Sequence, residues 1–459
     1  MKKRLILVLG FLFGFSGLSA SAIGRTLEES MTAAYDNNPT ILAQRAKVRA
    51  TDEEVAQALS NWRPTVEIAG EAGTSAVHNN TATATNQGQH REPRSLNLTI
   101  EQALYRGGRT LAATSEAENS VKAERARLLV VEQSVLLDAA TEHMNVIRDH
   151  AVLELNINNE QVLRRQLKAT RERFEVGEVT STDVHQAQAR LARVTADRIQ
   201  SEGDLVNSRA GFLNSVGEAA GKLLPAKPPM DLPASVMEAV KIAVNNDPNV
   251  IAAEFDERAL LDNVDEVRGE LLPTLSVEGT ASRSFQSSSE ESRSDVYKAK
   301  AVLTVPLYQS GEVYSRLREA KQDAAEQRLK TDQAQRNAAE NSTIAWQALQ
   351  TARARIVSYV IEVEAAQIAL DGVKHEATVG SRTTLDVLDA EQELLDASVN
   401  LVRAERDEMV AIFELKTAMG QMTASLWNLP VRFYDPDAHY REIRNKWFGA
   451  QSNNGIPEK

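Results

Sequence analysis

Two periodicities alternate along the chain. Period two with one apolar face marks four runs and reads as strands. Val66, Ile68, Ala72 and Ala76 alternate with Glu67, Glu71 and Ser75 within Thr65 to Val77. Leu96, Leu98, Ile100 and Leu104 alternate with Asn97, Thr99 and Glu101. Leu275, Val277 and Ala281 alternate with Ser276 and Glu278. Ala299, Ala301, Leu303, Val305 and Leu307 alternate with Lys298, Lys300 and Thr304. Each run is about 10–13 residues, the length of a tilted membrane-crossing strand and equally of a strand in a soluble two-sheet domain. His78 to Glu92 and Gln286 to Asp295 contain no large apolar residue and read as solvent-facing tips.

Between these runs the pattern is helical and very long. No Pro lies between Pro93 and Pro225 or between Pro306 and Pro430, and no Gly lies between Gly108 and Gly177. Gly372 alone interrupts Gly311 to Gly380. Pro and Gly are the residues that break or weaken helix interiors. The spacing predicts one near-continuous helix over Arg109 to Val176, 68 residues or roughly 100 Å. Such a rod needs coiled-coil neighbours. Leu388, Leu395, Val402 and Met409 recur every seventh position, beside Leu394, Leu401 and Leu415. Val184, Leu191, Leu205 and Phe212 form the matching stripe earlier in the chain, and both read as helix packing.

The pattern occurs twice. Asn38-Pro39 matches Asp247-Pro248, and Arg63-Pro64-Thr65-Val66 matches Leu272-Pro273-Thr274-Leu275, both 209 positions apart. Further on, Tyr105 with Gly108 matches Tyr308 with Gly311, and Val176-Gly177 matches Val379-Gly380. Asp183-Val184 matches Asp386-Val387, and Val216-Gly217 matches Met419-Gly420, all now 203 positions apart. Six residues are therefore lost from the second copy between Pro273 and Tyr308, as in a surface loop. Two equivalent halves follow, about 26–222 and 234–425. Each begins with one helical segment ending at Pro64 or Pro273. Pro225, Pro228, Pro229 and Pro233 mark the linker over 223–233.

Composition removes several function classes. Aromatics are 5% of 459 residues, too few for a single large aromatic-rich core. A formal charge of −12 argues against nucleic-acid binding, which needs clustered Lys and Arg. The absence of Cys removes disulfides, thiolate metal sites, Cys nucleophiles and a lipid-modified Cys. His143, His150, His185 and His375 have no ligand-like spacing and read as packed or solvated. Gly107-Gly108 reads as a turn, because no Lys-Ser/Thr phosphate signature follows it. No Ser-His-Asp order and no paired-carboxylate cleft is visible, so neither an enzyme nor a cofactor is expected.

Met1 to Ala22 reads as a secretory signal peptide. Lys2, Lys3 and Arg4 precede the apolar run Leu5 to Leu18, and Ala20-Ser21-Ala22 offers a cleavage site. Its removal leaves 49 basic against 64 acidic residues, a net of −15. An exported chain without an apolar span crosses a membrane, if at all, as β-strands. Four strands cannot close a barrel. An open edge in hydrocarbon would strand unpaired backbone groups at several kcal/mol each. In a membrane, several chains must then share one barrel, and three chains would supply twelve strands. The other reading is a filament subunit of coiled-coil hairpins with a β-tip, soluble or polymerising rather than membrane-bound.

The duplicated helix–strand–strand–helix plan and the Tyr-x-x-Gly at both strand-to-helix joins resemble the TolC family of outer-membrane channels. So does the motif Val379-Gly380-Ser381-Arg382-Thr383-Thr384-Leu385-Asp386-Val387-Leu388-Asp389-Ala390, with its counterpart Val176-Gly177-Glu178-Val179-Thr180-Ser181-Thr182-Asp183-Val184. The resemblance covers roughly 26–425 and leaves residues 426–459 as a C-terminal periplasmic tail, Trp447 and Phe448 included. It implies a mainly α fold with a small β part. The architecture it implies is a homotrimer with a twelve-stranded barrel in outer-membrane lipid of a Gram-negative bacterium. A long α-helical tunnel would cross the periplasm and be closed at its far end. It also implies a passive exit duct for small compounds or proteins, working with an inner-membrane transporter and a periplasmic adaptor.

By the same resemblance, Asp386 and Asp389 would narrow the periplasmic aperture as acidic rings. Thr182, Asp183 and Arg382 would belong to the network that holds it shut. Capping is the plainer reading of two of these. Thr180-x-x-Asp183 and Thr383-x-x-Asp386 both have capping-box spacing. Asp389 lies one turn further in, and its repeat partner is Gln186, so capping does not explain it. Three copies would gather six such carboxylates, which attract cations. Ala377 is small where a larger side chain would make a stronger lock.

Overall fold

The helical segment expected before each strand pair is broken in two. The computed structural model describes residues 24–77, 89–229 and 231–450. The expected signal peptide at 1–22 and residues 78–88 of the first tip loop lie outside them. In chain order the elements are α1 (Leu27–Asn37), α2 (Pro39–Ser60), β1 (Thr65–Ala72), β2 (Ser75–Val77), β3 (Gln89–Arg91), β4 (Arg94–Arg106), α3 (Arg109–Glu175) and α4 (Ser181–Val216). Then follow α5 (Val236–Asn246), α6 (Pro248–Gly269), β5 (Thr274–Phe285), β6 (Arg293–Thr304), α7 (Glu312–Thr378), α8 (Thr384–Ala418) and α9 (Pro436–Ile443). Pro39 has no N–H to continue a helix, but its fixed φ suits the first turn of a new one. Asn38 accordingly ends α1, and its side chain accepts from the Thr40 amide (2.9 Å) to start α2. Asp247 does the same for the Asn249 amide (2.8 Å) between α5 and α6.

The rods are as long as the sequence predicts. α3 and α7 each run 67 residues, roughly 100 Å at 1.5 Å per residue. Each starts after a left-handed glycine, Gly108 (φ +80°) or Gly311 (φ +82°). α3 packs along α4 and α7 along α8, while α6 lies against both α3 and α7.

Strands β1, β4, β5 and β6 form one antiparallel sheet in that order, so β1 and β6 are its edges. The first run is shorter than its alternation suggests: β1 stops at Ala72, and β2 pairs only with β3. The fourth also stops early, at Thr304, because Pro306 has no N–H to offer the ladder. The register stacks apolar on apolar across the strands. Ile68, Leu98, Ala281 and Tyr297 form one row, and Val66, Ile100, Gly279 and Ala299 the next. On the other face, Thr65, Glu101, Glu278 and Lys300 form a polar row, with Lys300 paired to Glu278 at 2.9 Å. Among the described residues no layer covers the apolar face: Val66, Ile68, Leu303 and Tyr297 are 65%, 68%, 65% and 78% exposed.

The main core lies about midway along α3. Leu136, Phe212, Leu349, Ile412, Phe413 and Leu415 are fully buried there, with Met31 and Ile41 from α1 and α2. The seven-residue stripe of α8 faces inward, with Leu388, Leu395 and Met409 buried. The segment past Leu429 folds back onto the rods. Arg125 bonds to Asp437 and to the Pro436 carbonyl (3.2 Å), and His439 Nδ1 lies 3.2 Å from the buried Asp52 carboxylate. Tyr440 and Arg444 both donate to Glu118, at 3.1 and 3.0 Å. Burial pushes the Asp52 carboxyl up from its ordinary range, against the opposing hydrogen bond from His439.

Candidate channel aperture

The ends of the rods remote from the sheet are two turns of one design. α3 ends at Glu175 with Val176 as its C-cap, the chain reverses at Gly177 (φ +81°), and Thr180 caps α4. α7 ends at Thr378 with Val379 as its C-cap, the chain reverses at Gly380 (φ +81°), and Thr383 caps α8. Glycine is needed at both reversals, because a Cβ in the left-handed region costs about 1–2 kcal/mol. In each turn the amide two residues past the cap position bonds back across it. Glu178 donates to the Arg173 carbonyl (2.9 Å) and Ser381 to the Glu376 carbonyl (3.0 Å).

Asp183 and Asp386 occupy equivalent capping boxes. The amide and hydroxyl of Thr383 donate to Asp386 Oδ2, both at 2.8 Å, and the Asp386 amide donates to Thr383 Oγ1 at 3.2 Å. Thr180 and Asp183 repeat this at 2.9, 2.8 and 3.3 Å. These donors favour the ionised carboxylate. The Thr383 amide, then its hydroxyl, hold Asp386 below the ordinary Asp value, and Thr180 does the same for Asp183. Capping thus accounts for both residues, which remain half-buried at the tip.

Asp389 has a different partner. It projects from α8 to an ion pair with Arg190 of α4. Sequence reading missed Arg190, although a signal existed. Asp389 stands where the first repeat has Gln186, and Arg190 stands where the second has Glu393. Both partners are places where the repeats diverged.

Arg382 is turned back on its own hairpin, where Nε donates to Glu376 at 2.8 Å. Arg173 and Glu178 form the matching pair in the first turn at 3.0 Å. Thr182 is exposed on the first turn of α4. Within one protomer, the bonds among the described residues do not join Thr182, Asp183 and Arg382. Lys374 of α7 reaches the buried Glu391 of α8 at 3.1 Å. Behind the tip, Leu163 and Leu167 of α3, Ala187 and Val194 of α4, and Leu388 of α8 make a small apolar cluster that fixes the hairpins to each other.

One further staple is confined to the first repeat. Glu160, buried on α3, accepts from Arg164 (2.9 Å) and from Thr195 of α4 (2.8 Å), and forms an ion pair with Arg198 of α4 (3.1 Å). One turn back, Asn156 donates to Ser201 at 2.7 Å. Among the described residues no group of His, Asp and Glu could hold a metal ion, and no helix is long and apolar enough to cross a membrane.

These features form a duplicated pair of long hairpins, closed by acidic turns at one end and carrying at the other a sheet with one apolar face and two free edges. The sequence profile of outer membrane efflux proteins matches residues 31–218 and 239–421, most of both repeats. The chain belongs to the outer membrane efflux protein family. The outer membrane efflux protein BepC of Brucella suis biovar 1 (strain 1330) is 32% identical over 454 residues, covering 99% of this chain and 98% of the relative. The outer membrane protein TolC of Vibrio cholerae serotype O1 is 26% identical over 435 residues, covering 92% and 96%. The Campylobacter jejuni CmeC outer membrane channel has the same fold, with a TM-score of 0.75 at 15% identity over 91% of this chain and 89% of that one. The protein is therefore an outer-membrane channel of mainly α fold. It is located in the outer membrane, with a long periplasmic extension.

Proposed function

We propose that three copies of the chain join their sheets edge to edge into one barrel, and that the resulting duct is the passive outer-membrane exit of a tripartite pump or a type I secretion system. One observation carries the reading: the sheet has two free edges, one face polar and the other apolar and uncovered. Edges in hydrocarbon must be paired, and with four strands per chain three copies give the twelve needed for an aqueous lumen. The polar row of Glu101, Glu278 and Lys300 would line that lumen. In this reading residues 1–22 direct export. The repeats at 23–222 and 234–425, joined by the linker at 223–233, each give half of a protomer's wall, and residues 426–459 form a periplasmic tail. An inner-membrane transporter and a periplasmic adaptor would deliver the cargo. The name of BepC favours efflux.

At the far end, Asp386 and Asp389 would narrow the aperture, with Thr182, Asp183 and Arg382 meeting across protomer boundaries. The Arg190 ion pair offsets the charge of Asp389. Asp386 would then carry most of the attraction for cations. Planar-bilayer recording of the purified protein, with its mass in detergent, tests the whole reading. The expected result is a particle of three chains whose cation selectivity and divalent-cation block fall in Asp386→Asn/Asp389→Asn. A particle of one chain overturns the duct. Unchanged selectivity and block in a conducting trimer overturn the aperture assignment alone.

A further inference from the structure

We infer that the C-terminal segment carries an interfacial anchor, Trp447 with Phe448, that dips into the phospholipid leaflet at the base of the sheet. Position is the first argument. Arg63 stands two residues before β1, and its guanidinium donates to the carbonyls of Lys446 (2.7 Å) and Arg444 (3.4 Å). The same guanidinium lies 5.1 Å from the centroid of the Trp447 ring. The segment is thereby held at the level where β1 and β5 start and β4 and β6 end. On the membrane placement proposed above, that level is the periplasm-facing surface, because α3 and α7 leave the sheet there.

Exposure is the second argument. Trp447 is 58% and Phe448 87% exposed, side by side in a chain with only four Trp. Trp346 and Trp427, in contrast, pack against the main core. Trp62, at the same level as Arg63, is 42% exposed. Indole suits the zone between headgroup and acyl chain, where its N–H stays hydrated while the ring leaves water. The third argument is charge. Arg63, Arg444 and Lys446 flank the aromatic pair with positive charge, although Arg444 is shared with Glu118 (3.0 Å). Cations at this height attract lipid phosphates. A phospholipid leaflet is therefore the occupant that matches the site in place, exposure and charge.

Tryptophan quenching in vesicles tests this. The full-length protein is reconstituted into phosphatidylcholine brominated either near the glycerol end or near the chain terminus of its acyl tails. The difference between wild type and Trp447→Phe isolates the Trp447 emission, and single-channel conductance confirms that the variant folds. Shallow bromines are expected to quench that emission about twofold more than deep ones, as for a side chain in the interfacial belt. Phe448→Ser should reduce the quenching. Emission quenched by aqueous acrylamide but not by bromolipid overturns the anchor in favour of water. Emission reached by neither overturns it in favour of contact with a second copy.

Discussion

Arg190 and Asp389, 199 positions apart in the chain, form an ion pair that ties α4 to α8 beside the aperture. The pair joins the two repeats at a point where neither matches the other. Its side chains are 28% and 53% exposed, so it contributes about 1 kcal/mol or less to stability. Its larger consequence is geometric, because it holds the second hairpin against the first. Arg190→Gln should leave the melting temperature almost unchanged and raise single-channel conductance. Asp389→Asn should act in the same direction, and the double variant should add little to either. Conductance that stays at the wild-type level in both single variants would show that the pair does not restrain the tip.

The junction of sheet and rod makes a second prediction. Gly107 adopts φ +67°, and a Cβ there would strike the carbonyl oxygen of Gly269 at the end of α6. Its repeat partner is Ser310, which holds a left-handed φ of +54° with a side chain. Gly107→Ala should therefore lose at least roughly 1–3 kcal/mol from backbone strain, with the collision added to it. Ser310→Gly should be neutral to slightly stabilising, since relief of about 1–2 kcal/mol of left-handed strain is only partly offset by about 0.4–1 kcal/mol of unfolded-chain freedom. Chemical denaturation of the two variants in detergent separates them. Equal midpoints would mean that the close approach of α6 does not discriminate the repeats.

Backbone-determined features of this fold are legible in the sequence. The Pro- and Gly-free spans set the rods to within a residue of Arg109 and Val176, and alternation located the four strands. The repeat offsets recovered both tip turns. The break at Asn38-Pro39 was equally visible as a capping pair, but the apolar pattern continues across it. What stayed hidden depends on which side chains meet. Arg190 and Asp389 belong to different repeats, and Arg63 meets Lys446 from the opposite end of the chain. No local periodicity encodes such pairs. The partner of Arg382 inside the protomer proved to be Glu376 on the same turn, a short-range choice that the motif alone left open.

His143 supplies a pH-dependent prediction. It is fully buried, with Nδ1 3.0 Å from Ser30 Oγ and Nε2 3.0 Å from the Leu224 carbonyl. A carbonyl only accepts, so Nε2 carries the proton and Nδ1 accepts from Ser30. The ring thus clasps α1 and the interrepeat linker to α3. Burial lowers its pKa; the Leu224 hydrogen bond and Glu28 oppose this weakly, while Arg25 adds to it. The unfolded chain therefore protonates first, near pH 6.5. The stability conferred by the neutral ring is complete above that value and falls as the pH drops below it. Thermal melting between about pH 7 and 5 should decline in wild type. It should decline less in His143→Gln, which keeps a donor for Leu224. Parallel declines would assign the acid sensitivity to other groups.

The Glu160 staple can be replaced by what the molecule already uses elsewhere. Positions 160 and 198 hold Glu and Arg in the first repeat, and their counterparts are Val363 and Leu401 in the second. The Glu160 side chain is 8% exposed and receives Arg164, Thr195 and Arg198. Removing one partner of a buried pair is costly, whereas exchanging both for packed apolar residues is often neutral or stabilising. Arg198→Leu should thus lose about 1–3 kcal/mol, less than the usual cost because Arg164 and Thr195 still serve the carboxylate. Glu160→Val should cost less, since Arg198 is partly exposed and keeps Glu202. Glu160→Val/Arg198→Leu should return to wild-type stability or exceed it, with a favourable coupling in the double-mutant cycle. If the double variant unfolds more easily than Arg198→Leu alone, the α3–α4 seam of the first repeat needs its charges, and the two rods are not interchangeable in their packing.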